Sequence, residues 1–146
     1  MSKRNSLQDF ELRPRDFYPT IDPAAVEPLE PFIGCKTYAE PCFGAGDLVK
    51  LLEKNLCVWS SDIKPQLPTV NKSCGTQLTK EDLEFSDLII TNPPFTRKIL
   101  LPLMDHFISL KPTWLLLPAD VAHNKYMSEY MKNCQKVVSV GRLYWM

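Results

Sequence analysis

The chain has 146 residues, of which 45% are hydrophobic and 23% are charged, and this length and composition are typical of one globular domain with a single core. Basic and acidic residues number 17 each, so the net charge gives no sign of a nucleic-acid partner. Such a partner would have to bind a local patch of basic residues. Five cysteines without a C-x-x-C pair, and only two histidines, argue against a metal site and favour free thiols in a reducing cytoplasm.

The N-terminal segment 1–16 is polar and mixed in charge, which predicts an arm that only a partner would order. It has no apolar h-region, so it is not a secretory signal. No apolar run approaches the length of a membrane span, and no membrane partner is expected. The folded domain is therefore expected to occupy residues 17–146.

Next in chain order, Asp22 is expected to cap a helix that has Pro23 at its first position and that Pro28 shortens or kinks. From about residue 37, strands and helices alternate. The predicted strands are KTYAE (36–40), CVWSSD (57–62), a doubtful one within TVNKSCGTQL (69–78), DLIITN (87–92), TWLLLP (113–118) and QKVVSVGRLYW (135–145). The predicted helices are LVKLLEK (48–54), a brief one after a Thr79–Asp82 capping box, RKILLPLMDHFISL (97–110) with a break or late start at Pro102, and HNKYMSEYMKN (123–133).

Strands that are apolar along their whole length are covered on both faces. This pattern predicts an α/β fold with a mostly parallel sheet and helices on both sides. In such a fold, ligands bind beyond the carboxyl ends of the strands, near the point where the strand order reverses. Residues that follow the predicted strands are therefore the first candidates for a site.

The first candidate is the loop after the first strand, where Gly44 and Gly46 permit a tight turn and Glu40 adds a carboxylate. Val49 stands where a dinucleotide fingerprint requires its third glycine, so binding of a pyrophosphate is weakly indicated. An isolated G-x-G is also common in ordinary turns.

The second candidate is Asp62, at the end of the second strand, where an acid can accept hydrogen bonds from ribose hydroxyls. Taken alone, this residue is better explained by a turn or helix-capping role. Together with the glycine loop, it favours a ligand that carries a nucleoside.

The third candidate is the stretch Asn92-Pro93-Pro94-Phe95, which ends the fourth strand. The amide oxygen of Asn92 and the carbonyl of Pro93 can accept the two hydrogens of a planar amine, and Phe95 offers a face on which its ring can stack. Two prolines would fix these groups in advance. The alternative is a plain proline-rich strand exit. The chemistry favours a site that presents a conjugated amine for attack on an electrophile.

These motifs together resemble the S-adenosylmethionine-dependent amino-methyltransferases, and more closely the small bacteriophage-type N6-adenine DNA methyltransferases. The matching segments follow that family's order: FYPT (17–20), EPCFGAGD (40–47), SSDI (60–63), TNPPF (91–95), TWLLLPADVAHNKY (113–126) and KVVSVGRLYW (136–145). The resemblance implies a Rossmann-like class I methyltransferase fold over residues 17–146, with S-adenosyl-L-methionine as the cofactor.

The resemblance also implies two groups of site residues. The cofactor-binding residues would be Tyr18, Pro19 and Thr20 at the methionine end, Glu40, Phe43, Gly44 and Gly46 in the loop, Asp62 at the ribose and Ile63 on the adenine. The residues that hold the target base would be Asn92, Pro93, Pro94 and Phe95. Arg97 and Lys98 follow directly, and they are better placed for DNA phosphates than the other basic residues. Taken alone, each basic residue is better explained as a solvated surface charge.

The implied activity is direct methyl transfer to the N6 atom of an adenine flipped out of double-stranded DNA, with no covalent enzyme intermediate and no metal. The alternatives are an RNA adenine methyltransferase, a protein glutamine methyltransferase, or a catalytically silent module that binds S-adenosylmethionine.

The chain departs from the family in three places. CGTQL (74–78) offers Thr76 and Gln77 where an acid often contacts the cofactor adenine, and LPADVAHN (117–124) lacks a usual acid and tryptophan. The chain stops after the sixth predicted strand, so we expect a sheet without the family's seventh, antiparallel strand.

Overall fold

The computed structural model describes residues 20–52, 56–141 and 143. Its core is a sheet of five parallel strands in the order β3-β2-β1-β4-β5. The strands are β1 (Tyr38–Glu40), β2 (Cys57–Asp62), β3 (Asn71–Lys72), β4 (Leu88–Thr91) and β5 (Thr113–Leu115). This is the strand order of a Rossmann-like α/β fold, so the predicted fold class is confirmed. Five of the six strand predictions hold, including the doubtful third.

The described residues form five α-helices, of which the second, third and fifth lie at predicted positions and the fourth was not predicted. They are α1 (Glu30–Ile33), α2 (Asp47–Leu51), α3 (Arg97–Leu110), α4 (Ala119–Ala122) and α5 (Ser128–Lys132), with short 3-10 turns at Pro23–Ala25, Glu27–Leu29, Gly75–Gln77 and Lys125–Met127. The side chain of Asp22 caps the first 3-10 turn by accepting from the N–H of Ala24 at 3.0 Å. No helix among the described residues is long and apolar enough to cross a membrane.

The two faces of the sheet are covered by different parts of the chain. Tyr38, Leu88 and Ile90 pack against the segment from Ala25 to Ile33 and against α2. Ala39 and Ile89 point to the opposite face and pack against α3 and the segment 78–83. Successive residues of a strand face opposite sides, so both faces of β1 and β4 are buried, as their apolar sequences require.

The two central strands are also joined at their amino ends. Thr37 donates from its backbone N–H to Oδ2 of Asp87 at 3.1 Å and from its hydroxyl to the carbonyl of Phe85 at 2.7 Å. The N–H of Asp87 donates back to Oγ1 of Thr37 at 3.0 Å. These bonds fix the start of β1 against the start of β4, so the ends of the two strands meet at the opposite edge.

Three local predictions are wrong. Pro102 does not break α3, which is continuous from Arg97 to Leu110, because a missing N–H near the helix start removes only one bond. Thr79 and Asp82 do exchange capping bonds of 2.9 and 3.1 Å, but turns follow in place of a helix. The predicted sixth strand does not form: the described residues of 135–145, which are 135–141 and 143, belong to no strand.

Candidate active site

Glu40 is the last residue of β1, and its carboxyl group is buried beside the end of β4. The side chain is 1% exposed, and its Oε1 accepts from the N–H of Cys42 at 2.8 Å. The hydroxyl of Thr91 and the backbone N–H of Asn92 also face the carboxyl. Glu40 therefore lies at the carboxyl edge of the sheet, where the strand order reverses between β1 and β4.

The pKa of Glu40 is raised from 4.5 to about 8. Burial is the main cause, because removing a carboxylate from water disfavours its charged form. The hydroxyl of Thr91 and the N–H groups of Cys42 and Asn92 oppose this increase, and the charge of Asp62 adds to it. Glu40 is consequently neutral over much of the physiological pH range, and a cationic group placed beside it would favour ionisation.

The glycine loop after β1 turns back on itself and leads into α2. Gly46 has a φ of +85° and donates its N–H to the carbonyl of Phe43 at 2.9 Å. A Cβ atom on Gly46 would lie 2.7 Å from Cε2 of Phe43, so the ring occupies the space that a side chain would need. Glycine is thus required here both for the backbone conformation and for the packing of Phe43.

Asp62 ends β2 and fastens the glycine loop to the neighbouring strand. Its Oδ2 accepts from the N–H of Gly44 at 2.7 Å, and its Oδ1 accepts from the N–H of Lys64 at 2.9 Å. A turn-forming role for this aspartate is therefore present in the structure. A carboxylate offers about four acceptor positions, so these two bonds leave capacity for hydroxyl groups of a ligand. Ile63 follows as a half-buried residue.

Asn92 follows β4, and its side chain reaches a residue 72 positions earlier in the chain. Nδ2 of Asn92 donates to Oγ1 of Thr20 at 2.9 Å, and Thr20 is 4% exposed. The structure thus brings Thr20, Glu40 and Asn92 together at one edge, although the sequence interpretation assigned them to separate cofactor and target-base groups. Tyr18 and Pro19, the other residues predicted beside Thr20, lie outside the described residues.

Pro93, Pro94 and Phe95 form the corner between β4 and α3. Both prolines are buried, and Phe95 is half-buried against an apolar cluster that includes Leu100 and Tyr126. The corner is therefore held by packing on one side and by Asn92 on the other. A preformed corner costs little additional ordering when a ligand binds.

Arg97 and Lys98 begin α3 with both side chains exposed. The guanidinium of Arg97 lies over the ring of Tyr126, 4.7 Å from its centroid. This cation–π contact joins α3 to the segment that follows β5. Tyr126 therefore belongs to the site region, although the sequence analysis did not predict it as a site residue. Its only signal was its place in the segment TWLLLPADVAHNKY (113–126), to which no role was given.

Thr91 was also missed as a site residue, because the sequence gives no sign that its hydroxyl faces a carboxyl.

Among the described residues, no group of three or more His, Cys, Asp or Glu side chains is arranged to hold a metal ion. No protein-family model matches the chain, and neither a curated protein nor a solved structure is found to be similar to it.

Proposed function

We propose that the chain is an S-adenosyl-L-methionine-dependent methyltransferase that modifies the N6 amino group of adenine in double-stranded DNA. The observation that carries the proposal is the meeting, at the reversal point of the sheet, of two strand ends with complementary chemistry. Glu40 and the glycine loop follow β1, and the Asn92–Phe95 corner follows the adjacent β4. Ligands of parallel α/β sheets bind at this position.

The residues after β1 and β2 fit the cofactor. Glu40 is a buried carboxyl whose ionisation a cationic ligand would restore, and S-adenosyl-L-methionine carries a positively charged ammonium and sulfonium. Asp62 keeps acceptor capacity for ribose hydroxyls, and the backbone of the glycine loop permits a close approach. Phe43 lies within the glycine loop, and the half-buried Ile63 offers an apolar surface beside Asp62. When bound, the cofactor supplies an electrophilic methyl group.

The residues after β4 fit the amine. The amide oxygen of Asn92 and the carbonyl of Pro93 would each accept one hydrogen of the N6 amino group, which draws the nitrogen lone pair out of conjugation. Phe95 would stack on the base, and Pro94 stiffens the corner. In this proposal Arg97 and Lys98 contact phosphates near the flipped nucleotide. Positioning of this kind can supply roughly 7–11 kcal/mol of a reaction barrier.

The setting that we propose is the reducing cytoplasm of a bacterial or phage-infected cell. The five cysteines are all free thiols in the structure, and Cys35 and Cys134 are exposed. Exposed free thiols are suited to a reducing compartment, because an oxidising one would cross-link them.

Radiolabelled methyl transfer tests the proposal. Unmethylated double-stranded DNA and RNA are incubated in parallel with labelled cofactor and the wild-type, Asn92→Ala or Asn133→Ala protein. Asn133 is a matched control, since its amide bonds the backbone of Glu129 in α5. We expect N6-methyladenine in DNA with the wild type and the control, and none with Asn92→Ala, which still binds the cofactor in calorimetry.

Other outcomes separate the alternatives. Label in RNA alone would replace DNA by RNA as the substrate. Label in neither nucleic acid, together with measurable binding of the cofactor, would favour a silent binding module or a protein glutamine methyltransferase. Loss of cofactor binding in Asn92→Ala would assign Asn92 a structural role.

A further inference from the structure

Asn92 is held at two points, one on its side chain and one on its backbone, by parts of the chain that are distant in sequence. Its Nδ2 donates to Oγ1 of Thr20 at 2.9 Å, and its backbone N–H faces the carboxyl of Glu40. Thr20 and Glu40 are both buried, so water does not compete strongly for these bonds.

An asparagine side chain needs such a restraint in order to bind an amine well. The torsion that turns its amide plane is broad and roughly two-fold, so an unrestrained amide presents its oxygen in many directions. A bond to the nitrogen holds the plane and turns the oxygen, which has two lone pairs, away from Thr20. The amide then loses its conformational entropy when the protein folds, so ligand binding does not have to order it.

We propose that Thr20 is a positioning residue for the amine-binding amide of Asn92, which deepens and depends on the methyltransferase function proposed above. Its hydroxyl fixes the amide so that the oxygen accepts from the amino group of the substrate. This role differs from the one that the family resemblance implies, in which Thr20 lines the methionine end of the cofactor. The two roles make opposite predictions for cofactor affinity.

The test compares Thr20→Val, which keeps the shape but removes the hydroxyl, with Thr20→Ser, which keeps the hydroxyl. Thr113→Val is the matched control, because the hydroxyl of Thr113 bonds the carbonyl of Lys111 before β5. The side-chain amide signals of Asn92 are observed by NMR and assigned from their loss in Asn92→Asp. Thermal unfolding checks that each variant is folded.

We expect Thr20→Val to shift the Asn92 amide signals and to speed their exchange with water by about tenfold, which is the effect of losing one net hydrogen bond. Thr20→Ser and Thr113→Val should leave the positions of the Asn92 amide signals and their exchange rates close to those of the wild type. In methyl transfer, kcat should fall by about tenfold in Thr20→Val and recover in Thr20→Ser, while the Kd of the cofactor stays constant.

Amide signals that do not change in Thr20→Val would overturn the proposal. A selective loss of cofactor affinity in that variant would overturn it too, and would return Thr20 to the cofactor-binding group. If the wild type transfers no methyl group but the amide signals respond as expected, the positioning bond is supported and the methyltransferase function is rejected. The two ideas can therefore fail separately.

Discussion

At the scale of single residues, the neutral carboxyl of Glu40 links stability to pH. Unfolded, this group ionises near its ordinary pKa of 4.5, whereas in the native protein its pKa is about 8. Between these values the native state binds more protons than the unfolded state. The contribution of Glu40 to stability is therefore fully present below about pH 4.5, falls as the pH rises, and is lost above about pH 8.

We predict that Glu40→Gln removes this dependence, because glutamine does not titrate. The free energy of unfolding of the wild type relative to the variant should fall by up to about 1.4 kcal/mol per pH unit within that window. Urea denaturation at pH 5, 6.5 and 8 measures the difference. A difference that is constant across these three pH values would contradict the raised pKa.

Gly46 gives a second prediction at this scale. Gly46→Ala should lower the free energy of unfolding by about 3 kcal/mol, because it combines an unfavourable positive φ with a contact against Phe43. In a Phe43→Ala background the same substitution should cost only about 1 kcal/mol, since the backbone term remains and the ring is gone. Chemical denaturation of the four proteins forms a double-mutant cycle. Additive costs would show that the ring does not limit this position.

At the scale of elements, α3 and the segment after β5 meet through Arg97 and Tyr126. Stacking leaves the N–H edges of the guanidinium available, so Tyr126 can hold Arg97 without blocking a phosphate contact. The two elements would then present Arg97, Lys98 and Lys125 toward the same partner, since these side chains are all exposed and adjoin the contact.

We predict that Arg97→Ala weakens DNA binding and reduces the slope of log K against log salt by about one. Tyr126→Leu should weaken binding less, and Tyr126→Phe, which keeps the ring, should bind like the wild type. Lys36→Ala is the control, because Lys36 is exposed beside Thr37 at the opposite edge of the sheet. Fluorescence anisotropy at several salt concentrations measures the slopes. Equal slopes in Arg97→Ala and the wild type would remove Arg97 from the interface.

Secondary-structure elements were predictable from the sequence where a local pattern determines them. They were not predictable where their formation depends on a partner that is distant in the chain. β2 was predicted at its observed bounds, because its apolar residues and terminal acid are local signals. The segment 135–141 has the β-branched residues of a strand, yet Val137 is 75% exposed and Lys136 lies over the ring of Phe32 at 5.2 Å. Pairing depends on a neighbouring edge, which local propensity does not report.

The same distinction applies to the candidate site. The sequence was sufficient to predict that Glu40, Asp62 and Asn92 end strands, and parallel pairing then brings Glu40 and Asn92 to one edge. The bond from Asn92 to Thr20 and the contact of Arg97 with Tyr126 were not predictable. Each joins residues whose side chains have many possible partners, and only the packed fold selects one.

At the scale of the whole molecule, the central strands of the sheet are better protected from local opening than its edge strands. β4 is hydrogen-bonded on both sides, to β1 and to β5, and all its residues are buried. β5 and β3 end the sheet in the described part of the chain, and β5 is half-buried throughout. Local opening should therefore be easier at β3 and β5 than at the centre.

We predict that hydrogen exchange is slowest at Ile89 and Ile90 and at least about tenfold faster in Thr113–Leu115 and Asn71–Lys72, because edge strands open without global unfolding. Exchange followed by mass spectrometry, with peptides that separate these strands, measures the order. Protection of β5 equal to that of β4 would contradict this order and would indicate that a further strand covers its edge.

The bonds between Thr37 and Asp87 have a consequence for folding kinetics. They join residues 50 positions apart, a longer separation than that of the paired residues in any other two neighbouring strands. Closing a loop of this length is the costly step in assembling the centre of the sheet, and non-local pairing of this kind slows folding. Glu40 and Asn92 become neighbours only when that loop closes. A chain that has formed β1 with β2, or β4 with β5, therefore still lacks the site, and recovery of ligand binding should coincide with the last major phase of refolding.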